Sequence, residues 1–84
     1  MLTIYKYDIS HPVEVPVSAA LLKVGMQEGS INAWYCIDTD EVSTRIDRWA
    51  IIGTGWDMDD LGDIDYVDTL FDPEGFVWHI YKRL

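Results

Sequence analysis

The residues best suited to chemistry stand in one short run, Asp57, Asp59, Asp60, Asp63 and Asp65, directly after Trp56. Spaced carboxylates can hold a hard cation, share a proton, or face a positively charged partner. Against the calcium-loop pattern of oxygen ligands at every second position with glycine at the sixth, the run supplies Asp57, Asp59, Gly62, Asp63, Asp65 and Asp68. The fit fails at the fifth position, where Leu61 has no oxygen, and Asp68 is shorter than the glutamate that usually closes such a loop. No helical pattern flanks it. A solvated turn between strands is the alternative, and no metal is expected. Glycosidase chemistry would need two carboxyls set across a carved cleft, and a chain of 84 residues offers little scaffold for one.

Charge favours the third use. Residues 57–74 hold eight acids and no bases, whereas the rest of the chain holds seven acids and six bases, so one segment carries nearly all of the net charge of -9. Such a surface repels phosphates and attracts a basic protein patch, so direct nucleic-acid binding is not expected. Trp56, Asp57, Asp59, Asp60, Asp63 and Asp65 are therefore the expected partner-binding residues.

Other constellations are weaker. Gly53-Thr54-Gly55 could cradle a phosphate in a backbone nest, but no G-K-[ST] follows and the adjacent aspartates oppose an anion. Its plainer role is to let the chain turn sharply before Trp56. A cation or neutral group stacked on Trp56 would meet no repulsion. His11 and His79 lack a nucleophile at diagnostic spacing, and a strand position satisfied by a hydrogen bond accounts for His79. Arg45 and Arg48 fall on opposite faces of a strand, so an anion clamp needs Lys6, Lys23 or Lys82 from a neighbour. That would make a nucleotide pocket. Cys36, the single cysteine, excludes an internal disulfide and reads as a small buried residue. No catalytic or cofactor signature is present, so a non-enzymatic binding protein is expected.

The elements that position these residues read as strands. Leu2-Thr3-Ile4-Tyr5-Lys6-Tyr7 alternates, with Tyr5 and Tyr7 on one face. Val13, Val15 and Val17 alternate around Pro16, which marks an edge strand. A strand from about Leu21, carrying Leu22, Val24 and Met26, meets Glu28-Gly29, a pair suited to positive φ, and residues 31–37 return as its hairpin partner. Residues 43–52 make the longest strand, with Arg45, Asp47, Trp49 and Ile51 on one face, and the end near Gly53 is buried on both sides. A strand over residues 66–71, a type I turn at Asp72-Pro73-Glu74-Gly75 and a strand over residues 75–82 complete the chain. Six to seven short strands in one domain, residues 1–84, imply an all-β fold, a small antiparallel sandwich or a partly closed barrel.

No stretch approaches the roughly 18 apolar residues of a membrane span, and the N-terminus lacks a basic flank with an apolar h-region. Four Trp and five Tyr exceed what so small a core hides, which points to a homo-oligomer. Ile4-Tyr5-Lys6-Tyr7, Val13-Glu14-Val15-Pro16, Gln27-Glu28-Gly29, Ile52-Gly53-Thr54-Gly55 and Phe76-Val77-Trp78-His79-Ile80-Tyr81 together resemble a group of short bacteriophage and prophage proteins. In that group histidine and proline often follow the glycine-threonine-glycine, where this chain has Trp56 and Asp57. The resemblance implies a phage-type accessory protein in the bacterial host cytoplasm that antagonises a host antiviral defence component, and the charge map adds that its acidic surface would meet a basic surface of that component. Two alternatives stay open: a homo-oligomeric sponge for a cyclic nucleotide signal, and a virion or assembly component.

Overall fold

Alternation of apolar and polar residues, broken by turn-forming pairs, produces a chain of eight strands and no helix in the computed structural model, which describes residues 1–84. The strands are β1 (Leu2–Asp8), β2 (Val13–Pro16), β3 (Ala20–Gln27), β4 (Ser30–Asp38), β5 (Thr44–Asp47), β6 (Trp49–Gly53), β7 (Ile64–Phe71) and β8 (Val77–Arg83). They form three antiparallel sheets, ordered β1-β4-β3, β2-β5 and β6-β8-β7. The fold is all-β, as the sequence implies, and no barrel closes.

The β3-β4 hairpin turns at Glu28 and Gly29, whose φ angles of 54° and 81° are both positive. That is the type I′ geometry, whose twist matches that of the strands it joins. At the other hairpin, the Gly75 amide donates to the Asp72 carbonyl at 2.9 Å, and the Asp72 amide to the Phe76 carbonyl at 2.8 Å. Gly75, with φ of 96°, absorbs the left-handed residue that follows the type I turn. Phe76 consequently belongs to the turn, and β8 begins at Val77 rather than at Gly75.

The expected strand over residues 43–52 is in fact two. β5 pairs with β2 while β6 pairs with β8, and the chain changes sheets at Arg48, which raises the count to eight. Asp47 and Trp49 both turn inward, as residues two apart on a strand do, and Ala50 and Ile52 are buried on the opposite face of β6. The core draws on all three sheets: Val13 and Val15, Val24, Ala33, Tyr35 and Ile37, and Trp49 and Ile80 pack together with Ile9 and Ala19. Tyr7 meets the buried Tyr35 edge-on at 5.6 Å. Cys36 points the other way, onto the outer face beside Ile4, and is only half-buried.

Candidate partner-binding site

β6 and β7 run parallel to each other on either side of β8, so residues 54–63 must travel the length of that strand to connect them. Seven residues of β8 at roughly 3.3 Å each make this a path of about 20 Å. The six expected binding residues are consequently strung along one sheet instead of gathered at one point. Trp56 and Asp57 lie at the end that holds the Asp72–Gly75 turn. Asp63 lies at the opposite end, where its carbonyl accepts the Leu84 amide at 3.0 Å.

Each aspartate side chain stays in solvent. Asp57 Oδ1 accepts the Asp59 amide at 2.8 Å, which kinks the loop, and Gly62 turns it again at φ of 71°. Asp57, Asp59, Asp60, Asp63 and Asp65 are exposed. Asp65 falls within β7, which starts two residues earlier than expected, opposite Lys82. The Lys82 ammonium, however, reaches Asp47 at 3.3 Å. No ion pair in the molecule uses a carboxylate from residues 57–74. Arg83 lies against the run but donates to the Leu61 carbonyl, at 3.2 Å. Nor do three or more metal-ligating side chains converge anywhere.

The anion clamp of the sequence reading does assemble, on an internal carboxylate. Arg45 Nε donates to Asp47 Oδ1 at 3.1 Å, Lys82 approaches the same oxygen, and the Tyr35 hydroxyl donates to Oδ2 at 2.8 Å. Arg45 also donates to the carbonyls of Val17 and Ala19. Burial would raise the Asp47 pKa, but the bonds from Arg45 and Tyr35 and the nearby Lys82 charge outweigh it and hold the carboxyl below its ordinary value. Tyr35 is pushed well up, by burial first and by its bond to Asp47 second. Asp47 thus joins the three sheets, through Tyr35 of β4 and Lys82 of β8, and the two cations around it are engaged within the chain.

The feature that sequence reasoning missed lies beside Trp56. The Trp56 amide donates to the Gly53 carbonyl at 3.1 Å, and Gly55 at φ of 90° supplies the third position of a type II turn. This is the sharp turn expected of the two glycines. It drops the Trp56 indole edge-on against Trp78, at 5.7 Å and 81°, while Phe76 stacks on Trp78 at 5.8 Å and 26°. Gly53, Trp56, Phe76 and Trp78 line a cleft of about 410 Å³. No acid lines it, but Asp57 and Glu74 are chain neighbours of the lining residues Trp56 and Gly75, and Asp72 Oδ2 accepts the Trp78 indole N–H at 3.4 Å. Each of the two turns had a legible glycine signal; their adjacency did not, because it depends on both flanking β8.

On the other face of β8, His79 Nε2 lies 2.8 Å from Thr54 Oγ1 and Nδ1 lies 3.1 Å from Thr69 Oγ1, which in turn contacts the Tyr66 hydroxyl at 2.6 Å. Both ring nitrogens are occupied by neighbouring hydroxyls, so His79 holds the start of the crossover against the sheet.

Fold and surface together define a helix-free β domain with an aromatic cleft at one end of an unneutralised acidic strip. Over residues 1–84 the chain matches the family model of a domain of unknown function, DUF7352, and it belongs to that family. No curated protein and no solved structure matches it.

Proposed function

We propose that this protein acts by binding, and that the strip formed by residues 54–65 with the Asp72–Gly75 turn engages a basic surface of another protein. One observation carries the reading: eight carboxylates between residues 57 and 74 have no cationic partner within the molecule, although Arg45 and Lys82 lie in the same small fold. Like charges held together this way raise the free energy of the isolated protein, and a basic partner relieves it. The likeness to short phage proteins makes a host defence protein the partner of choice. Capture from a bacterial lysate by intact protein, beside an Asp59→Lys, Asp60→Lys double variant, tests this. A specific partner should be lost from the variant, and its affinity for the intact protein should fall steeply with salt. Equal capture by both proteins rejects the proposal.

A second reading rests on the outer face of the β1-β4-β3 sheet. Leu2 and Ile4 are 73% and 57% exposed there, in register with Asp38 and Cys36. An apolar face of this kind favours self-association. Sedimentation at rising concentration measures it, and Ile4→Lys should hold the protein monomeric.

A further inference from the structure

We propose that the cleft between Trp56, Phe76 and Trp78 receives an arginine side chain of the basic partner. The inference rests on the binding role proposed above and names the group that the aromatic end of the strip takes. The cleft offers faces of two orientations, since the Trp56 and Trp78 rings meet at 81° while Phe76 stacks on Trp78 at 26°. Trp56 is 58% exposed and Phe76 is 56% exposed, so both rings are open to a ligand from solvent. Their π faces carry negative potential and attract a cation placed over them.

Arginine fits better than the other cations. Its planar guanidinium is weakly hydrated, stacks on aromatic rings, and keeps edge N–H groups free to donate. The nearest acceptor is on Asp72, which does not line the cleft but is bonded to the Trp78 indole that does. Asp72 Oδ1 and Oδ2 each accept one bond within the chain, from the Glu74 amide and the Trp78 indole, which leaves each oxygen a further lone pair. Glu74 and Asp57 add charge without any ion pair of their own. A quaternary ammonium would fill the aromatic space but donate nothing to these carboxylates. A lysine ammonium would lose more hydration than it regains by stacking.

Gly53 fixes where the cleft wall stands. A Cβ at this position would stand 2.7 Å from Cε2 of the Trp56 ring, so the indole can form the cleft wall only over a glycine.

The test is a titration of the whole protein with N-acetyl-argininamide, followed by the indole N–H signals of Trp56 and Trp78. Saturable shifts of both are expected, with N-acetyl-citrullinamide binding at least about tenfold more weakly because it keeps the shape and loses the charge. Trp56→Ala should weaken arginine binding by about tenfold, and Trp56→Phe should restore part of it. Gly53→Ala should weaken it with no change of charge. Equal binding of citrulline, tighter binding of trimethyl-lysine amide, or undiminished binding to Trp56→Ala would each overturn the proposal. The Asp59→Lys, Asp60→Lys protein keeps the cleft and should bind N-acetyl-argininamide within about threefold of the parent. Loss of partner capture by that protein thus reports on the strip, and loss of arginine binding by Trp56→Ala reports on the cleft.

Discussion

The Trp56 indole occupies the space that a side chain on Gly53 would need, with a Cβ there falling 2.7 Å from ring atom Cε2 and 2.8 Å from Nε1. Gly53→Ala should therefore keep the fold and evict the ring. The expected cost is about 1–3 kcal/mol in urea denaturation, the range for overpacking a filled position. Near-ultraviolet dichroism should change as the Trp56–Trp78 pair separates. An alanine protein with parental stability and parental dichroism would show that the indole does not depend on this glycine.

Asp47 is the anion on which Tyr35, Arg45 and Lys82 converge, and its side chain is 3% exposed. Asp47→Asn removes the charge that two partly exposed cations oppose and should destabilise the protein by about 1.5–3 kcal/mol. Tyr35→Phe deletes one donor and should cost about 1 kcal/mol. Chemical denaturation of both single variants and the double should show strong coupling, because the residues share one bond. Additive losses would break the proposed network.

The same network sets the pH limits of the fold. The Asp47 carboxyl titrates below its unfolded value of about 3.9, so its contribution is complete above that value and is lost as pH falls through the folded pKa. Asp8 and Asp38 shift in the same direction, held mainly by backbone amides of Ser10 and Asp40. Tyr35 shifts upward, so its contribution is complete below the unfolded value of about 10 and is lost as pH rises above it toward the folded pKa. Denaturation midpoints should decline at both extremes. Asp47→Asn should flatten the acid arm, and a variant with the parental acid slope would refute the assignment.

Repulsion along residues 57–74 should make the isolated protein sensitive to salt. The screening length shrinks from about 30 Å at 0.01 M to about 3 Å at 1 M. Thermal midpoints should rise across that range, and less so for Asp59→Asn with Asp60→Asn. No dependence on salt would mean that the strip carries no stored repulsion.

Gly75 adopts a φ of 96° with open space where a Cβ would stand. Gly75→Ala should accordingly cost about 1–2 kcal/mol by backbone strain alone, without the change in tryptophan dichroism expected of Gly53→Ala. Comparing the two separates conformational from steric demand at the two turns that frame the cleft.

Turns and strand faces were legible in the chain because they are local. Glu28-Gly29 and Asp72-Pro73-Glu74-Gly75 name their own geometry within four residues, and the alternation in β1 puts Tyr5 and Tyr7 on one face, 6.5 Å apart. The break at Arg48 was not legible, since residues 43–52 alternate as one unbroken strand and only the competing partners β2 and β8 divide it. The half-burial of Cys36 likewise follows from which sheet face was left uncovered, which its neighbours in sequence do not encode.

Composition and short-range pattern by themselves determined an all-β chain, its hairpins, and the concentration of acids after Trp56. Tertiary structure alone decided that those acids run along β8 instead of clustering, that Arg45 and Lys82 meet on Asp47, and that Trp78 meets Trp56. The division is physical. Backbone preference and charge act within a few residues, whereas each of these convergences joins segments far apart in the chain. Such segments come together only when sheet packing offsets the entropy of closing the loops between them.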